Sequence, residues 1–135
     1  MMDPLSVTAS ITALFQLSAT VIKYLSNVKN ASGDIQKLMV ELSSIKGLLS
    51  TLQDLVQPGE KWLATVQSLN MPNGPLEQFR SALERLDEKL EPVVGLNKAK
   101  KVLAWPFQKG EVKDILFTIE RQKMAFILAL QNDHL

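Results

Sequence analysis

Residues 34–56, DIQKLMVELSSIKGLLSTLQDLV, carry the pattern that decides the fold. Apolar residues recur in this stretch at alternating steps of three and four, at Ile35, Leu38, Leu42, Ile45, Leu49, Leu52 and Val56. This spacing places a single apolar seam along one side of an α-helix, where neighbouring helices bury it. The stretch therefore predicts a long helix that packs in a bundle, with Ser32 or Asp34 as its N-cap and Gln57-Pro58-Gly59 as its end.

Helix starts and stops divide the rest of the chain. Asp3-Pro4 predicts the start of a first helix over residues 4–28, and its length decides against a strand although its early part alternates. A short helix is expected over residues 60–69. A further helix is expected from Pro75 to Glu91-Pro92, and a last one from Lys109-Gly110 to about Gln131.

Four substantial helices joined by short connections predict an all-α fold. We expect an antiparallel four-helix bundle with one or two additional short helices and no strand. The 135 residues fit one domain, residues 1–135, and the ending Asn132-Asp133-His134-Leu135 suggests that this domain is the N-terminal part of a longer multidomain protein.

Composition argues against most chemistry. The formal charge is only +1 and cysteine is absent, so neither a nucleic-acid partner nor a thiolate site is indicated. The only histidine is His134, so no catalytic triad or histidine pair for a metal can be assembled. Asp87 and Glu88 alternate with basic residues as on a solvated helix face. We expect no enzyme activity, no cofactor and no small-molecule substrate.

The first helix has two interpretations. No charged residue occurs from Pro4 to Ile22, although serine and threonine are scattered through this stretch. One interpretation is a central core helix wrapped by the other three. The other is a helix that leaves the bundle and enters a membrane, because apolar surface buried in a bundle is equally at home in lipid.

A basic segment between residues 96 and 109 also has two interpretations. Its lysines and aromatics suit an anionic membrane surface, and the lipid-contact candidates are Lys98, Lys100, Lys101, Trp105, Phe107 and Lys109. Alternatively, the segment is a solvated turn whose Trp105 and Phe107 cap the bundle core. A nucleic-acid interpretation is weaker, since no groove-reading motif accompanies the lysines.

Several stretches, taken in order, resemble the HeLo-like N-terminal domains of fungal STAND proteins, which are NOD-like receptor analogues. These stretches are residues 2–10 (MDPLSVTAS), 73–79 (NGPLEQF), 105–107 (WPF), 119–123 (IERQK) and 130–134 (LQNDH). Such domains are similar to the four-helix bundles of mixed-lineage kinase domain-like protein and of plant resistance proteins.

The resemblance implies a cytoplasmic effector domain that precedes a nucleotide-binding module in the same chain. It implies self-oligomerisation on activation, relocation to the plasma membrane and damage to the membrane in regulated cell death, as part of innate immune signalling. In this sequence the membrane-insertion role would fall on Leu5, Val7, Ile11, Leu14, Phe15, Val21 and Ile22. The first helix has no glycine and no acidic residue, so neither a glycine zipper nor a charged pore lining is indicated.

Two functions without membranes compete with this interpretation. A protein–protein adaptor would use the same apolar seams to bind itself or a partner. An inert folding cap would only shield the module that follows it, and would show neither binding nor oligomerisation.

Overall fold

Five helices make up the described part of the chain. The computed structural model describes residues 4–28, 32–56, 63–97 and 107–132, with the backbone alone at residues 4–7, 55–56, 63–65, 91–97 and 132. The helices are α1 (Pro4–Ser26), α2 (Gly33–Val56), α3 (Leu63–Leu69), α4 (Pro75–Asn97) and α5 (Lys109–Asn132). No strand occurs within these ranges, so the predicted all-α fold with four long helices and a short one is confirmed.

The helix starts follow the capping residues of the sequence. The Ser32 hydroxyl accepts a hydrogen bond from the Ile35 amide (3.4 Å), so Ser32, rather than Asp34, is the N-cap of α2. Pro75 begins α4 as predicted, and the Glu77 carboxylate accepts a hydrogen bond from the Asn73 amide (3.0 Å). Both contacts satisfy backbone donors at a point where the helix itself offers no partner.

The turn before α4 depends on a close approach of the backbone. Asn73 has a φ of 61°, and the Gly74 amide donates a hydrogen bond to the Met71 carbonyl oxygen (2.8 Å). A Cβ atom on Gly74 would lie 2.7 Å from that same carbonyl oxygen. Glycine is required at position 74 because any side chain would collide with the turn.

The end of α4 differs from the prediction. The sequence predicted that Glu91-Pro92 would close this helix, whereas α4 continues to Asn97. Pro92 removes its own amide donor and its ring crowds the carbonyl of Glu88, four residues earlier, which loses its helical partner. Such a proline can kink a helix without ending it. Glu88 is exposed, so the interruption lies on the solvent side of α4.

The other helix ends lie close to their predicted positions. α1 stops at Ser26 rather than at Val28, and the amides of Asn27 and Val28 bond three residues back to the carbonyls of Tyr24 and Leu25 (3.2 and 3.1 Å). α5 ends at Asn132, one residue past the prediction. The predicted start of the short helix, residues 60–62, lies outside the described residues.

The four long helices form a ring in the order α1, α2, α5, α4. α1 packs against α2 and α4, α5 packs against the same two helices, and α3 contacts α1, α2 and α5. α1 and α5 are therefore diagonally opposite, and the connection from α2 to α4 crosses the bundle on its diagonal. The interpretation of the first helix as a core helix is confirmed by its buried residues, but α1 occupies a corner and is not wrapped by the other three long helices.

Neighbouring helices run both parallel and antiparallel. Lys37 pairs with Glu120 (3.6 Å) and Lys123 pairs with Glu41 (2.5 Å), so α2 and α5 advance in the same direction. Since consecutive long helices alternate in direction, α1 and α4 are also parallel. The predicted antiparallel bundle is corrected in this respect, because the diagonal connection places helices of the same direction side by side.

The core is built from the predicted seams. Every seam residue of α2 whose side chain is described is buried: Ile35, Leu38, Leu42, Ile45, Leu49 and Leu52. From α4 and α5, the rings of Phe79 and Phe126 meet edge to face with centroids 6.1 Å apart. Every long helix therefore contributes an apolar face to one continuous core.

Candidate functional site

Five of the seven membrane-insertion residues predicted on α1 lie on its inner side. Ile11, Leu14 and Val21 are buried in the core, and Phe15 and Ile22 are partly buried against it. The backbones of Leu5 and Val7 belong to α1, but their side chains lie outside the described residues. In this conformation the bundle covers the five candidate residues whose side chains are described.

Polar contacts also hold α1 on α2. The Gln53 side-chain amide donates a hydrogen bond to the Thr12 hydroxyl (2.6 Å), and the Lys46 ammonium lies 5.1 Å from the centre of the Phe15 ring. Within α1, the buried Ser18 hydroxyl donates to the Leu14 carbonyl (2.7 Å). This bond keeps the Ser18 hydroxyl satisfied within the helix, so it needs no partner from another helix.

Only the end of the predicted basic segment is described. Lys98, Lys100, Lys101 and Trp105 lie outside the described residues. Phe107 is only 7% exposed and belongs to the core, with the Lys89 ammonium 5.1 Å from its ring centre, while Lys109 is exposed. Phe107 is therefore a core residue of this conformation and not an exposed lipid contact, because its ring fills the end of the bundle beside α4.

Lys89 also organises the start of α5. It donates a hydrogen bond to the Glu111 carboxylate (2.5 Å), which also accepts one from the Gln108 amide (3.3 Å). The bond from Lys89, followed by that from Gln108, holds the pKa of Glu111 below its ordinary value. Glu111 thus stays ionised at the positive end of the helix dipole and ties α5 to α4.

An open groove of about 870 Å³ runs between α1 and α4. Small residues on α1, namely Ala9, Ser10 and Ala13, leave this space unfilled, and apolar side chains including Leu17 and Leu76 line it. The turn at residues 70–72 borders one end, and the rim carries Glu77, Arg80 and Glu84 from α4. The groove is mainly apolar with a charged edge, the arrangement that suits an amphipathic partner.

A second apolar surface, on α5, was missed by the sequence analysis. Phe117, Met124 and Leu128 are 61%, 52% and 53% exposed, and their spacing of seven and four residues puts them on one side of the helix. Arg121 lies between them with its guanidinium 5.9 Å from the centre of the Phe117 ring. We call this surface the α5 stripe. The sequence does contain a signal for the α5 stripe, because Phe117, Met124 and Leu128 are apolar residues of α5 that do not follow the spacing of its core positions.

Neither a metal cluster nor a membrane-spanning helix was found in the residues that the structure describes. Across residues 4–28, 32–56, 63–97 and 107–132, no three histidine, cysteine or acidic side chains are placed to hold a metal ion. In the same ranges, no helix combines the length and the apolarity that crossing a bilayer requires.

Comparison with known proteins identifies no relative. No family model matches the chain, and no curated protein and no solved structure matches it either. The resemblance to HeLo-like domains therefore remains a prediction from the sequence.

Proposed function

We propose that this chain is a membrane-acting effector domain whose active element is α1. In this proposal the domain rests in the cytoplasm as the closed bundle and is the N-terminal effector of a NOD-like receptor. Oligomerisation through a following nucleotide-binding module then releases α1 onto anionic lipids of the plasma membrane, as part of regulated cell death. The observation that supports it is the uncharged stretch of α1 from Pro4 to Ile22, at a corner of the bundle.

The position of α1 makes its release structurally simple. A corner helix can leave without threading between the other three, which keep their contacts along α2, α5 and α4. Residues 4–22 contain no charged side chain, so insertion of this part of α1 transfers no charge into lipid. This matters because a charge at the bilayer centre costs about 2.5–3.5 kcal/mol on insertion scales.

The energetics require a trigger. Full burial of one large aliphatic side chain contributes about 1.5–3 kcal/mol, so the four buried side chains of Ile11, Leu14, Val21 and Leu25 hold α1 with about 6–12 kcal/mol. This is comparable to the whole stability of a small domain, about 5–15 kcal/mol. The resting bundle therefore keeps α1 in place until another interaction offsets this cost.

A reversible cross-link between α1 and α2 tests the proposal. Thr12 and Gln53 are in direct contact (2.6 Å), and the chain has no cysteine, so Thr12→Cys and Gln53→Cys can be joined selectively by a short bis-thiosulfonate cross-linker. Dye release from anionic vesicles is then measured with and without reductant. Because release of α1 also needs its trigger, both forms are compared while the domain is forced to oligomerise through a fused coiled coil. We expect leakage by the double variant only after the reductant has freed α1.

Two controls make the result specific. Each single-cysteine variant, capped by a monofunctional thiosulfonate, should leak equally with and without reductant, and circular dichroism should show the same helix content for all. Equal leakage by the cross-linked and the reduced forms would show that α1 does not need to leave, and would refute the proposal. A cross-link is preferable to deleting α1 or to Leu14→Glu, since Leu14 is only 3% exposed and both changes disrupt the core.

A second candidate function is a protein–protein adaptor without membrane activity. The exposed α5 stripe favours it, because contiguous large apolar side chains on a surface helix mark contact sites. Absence of leakage from a folded, reduced double variant, together with self-association or binding to a partner protein, would support the adaptor instead. An inert folding cap would show none of these activities.

A further inference from the structure

The α5 stripe and the α1–α4 groove are complementary in shape. From Phe117 to Leu128 the stripe covers eleven residue steps, or about 16 Å of helix. The groove is bordered by residues 9–17 of α1 and 76–84 of α4, about 12 Å of each helix, and is extended at one end by the turn at residues 70–72. A ridge of apolar side chains thus has a groove of similar length and mainly apolar lining on the same molecule.

The charges of the two surfaces are also complementary. The groove rim carries Glu77 and Glu84 against the single cation Arg80, whereas the centre of the stripe carries Arg121. Arg80 and Glu84 already form an exposed ion pair with 3.8 Å between the charged groups. The charge of Glu77 is therefore not balanced on the rim, which carries one net negative charge. A cationic helix face is therefore favoured over an anionic ligand, such as a fatty acid or a phosphate group.

The stripe cannot reach the groove of its own chain. α5 lies diagonally across the bundle from α1, and the stripe faces away from the core. We propose that the α5 stripe of one copy docks in the α1–α4 groove of a second copy. The contact is heterologous, so an open assembly always has a free groove at one end and a free stripe at the other, and it grows until a ring closes or a filament forms.

This contact goes beyond the proposed function, since it joins closed bundles in solution and involves no membrane. The groove exists only while α1 remains in place, because five residues of α1 form one of its walls. By linkage, a copy that binds only the closed form stabilises that form. The assembly therefore holds α1 in the bundle, and is distinct from an oligomer that forms after release.

Complementation between two variants tests the contact. Leu128→Glu places a charge in the stripe and Ala13→Arg fills the groove, and both positions are exposed, so each variant should fold. Sedimentation velocity over a concentration series should show association of the unchanged chain. Leu128→Glu alone should associate about ten- to a hundredfold more weakly, because it removes one buried large side chain from the contact. Ala13→Arg alone should also associate more weakly, because the arginine side chain occupies the groove.

The equimolar mixture is the decisive sample. One variant keeps an intact groove and the other an intact stripe, so the mixture should form a dimer that does not grow. Val40→Glu, an exposed apolar position on α2 outside both surfaces, should associate like the unchanged chain. Met124→Glu, also exposed, replaces Leu128→Glu if circular dichroism shows that the latter has unfolded.

Three results would overturn the proposal. The first is a mixture that stays monomeric when both variants are folded. The second is undiminished self-association of Ala13→Arg, which would indicate stripe-to-stripe pairing. The third is an unchanged chain that is monomeric throughout the concentration series.

Discussion

Replacing Ile11 with alanine tests whether α1 is the element that leaves the bundle. Ile11 is fully buried on the α1 side of the core, and truncating a buried isoleucine to alanine costs about 2–5 kcal/mol. A loss of about 3 kcal/mol raises the population of the state in which Ile11 has left the core but has not yet entered lipid by about a hundredfold, because 1.4 kcal/mol corresponds to tenfold. We therefore expect Ile11→Ala to increase the initial rate of dye release from anionic vesicles strongly.

The matched substitution is Ile115→Ala on α5. Ile115 is also fully buried, and its helix is diagonally opposite α1. Both substitutions increase global unfolding, but only Ile11→Ala favours release of α1 while the rest of the bundle stays folded. Urea unfolding gives the free energy lost by each variant, and vesicle leakage is compared at equal loss of stability.

The two variants separate release of α1 from general instability. Faster leakage by Ile11→Ala than by an equally destabilised Ile115→Ala is the expected result. Equal leakage would refute the reasoning, because membrane damage would then follow global unfolding and not the movement of one helix.

Three further substitutions test the structure itself. Gly47→Ala, within α2 and with open space around it, should raise the free energy of unfolding by about 0.5–1 kcal/mol in urea titrations. Gly74→Ala should lower it by about 1 kcal/mol or more, because the new Cβ would lie 2.7 Å from the Met71 carbonyl oxygen. The Lys89 ammonium holds the pKa of Glu111 below its ordinary value. The ionised carboxylate therefore stabilises the fold fully at pH values above the usual glutamate pKa of about 4.3. This stabilisation is lost as the pH falls through the lowered pKa of the folded state. The difference in urea midpoint between Glu111→Gln and the unchanged chain should therefore be largest at pH 7 and vanish in strong acid.

Local pattern was enough to predict the helices and the core. The three-four spacing of α2 identifies its buried side, because residues three and four positions apart lie on the same face of an α-helix. Ser32 and Pro75 mark starts for an equally local reason, namely the satisfaction of a few backbone donors. The end of α4 was mispredicted because a proline interrupts one hydrogen bond, and whether the helix continues depends on the surroundings of that bond.

The arrangement of the helices depends on a connection that no local pattern encodes. Each seam requires a neighbour but does not specify which helix supplies it, so a simple antiparallel bundle satisfied the sequence equally well. The segment containing α3 carries the chain diagonally from α2 to α4 and makes α1 and α4 parallel neighbours. The α1–α4 groove follows from this neighbourhood, and it was therefore absent from the sequence analysis.

The apolar pattern of α1 fits two environments, which is why its candidate residues were predicted without their resting location. A row of apolar side chains gains similar free energy from a protein core and from lipid, so Ile11, Leu14 and Val21 suit either. The balance is decided by contacts that the pattern does not contain, including the Thr12–Gln53 hydrogen bond and the Lys46 ammonium beside Phe15. These contacts exist only in the bundle, so they stabilise the closed form and not the membrane-bound form. Selective weakening of them, with the shared apolar face left intact, is therefore the most direct way to shift α1 between the two environments.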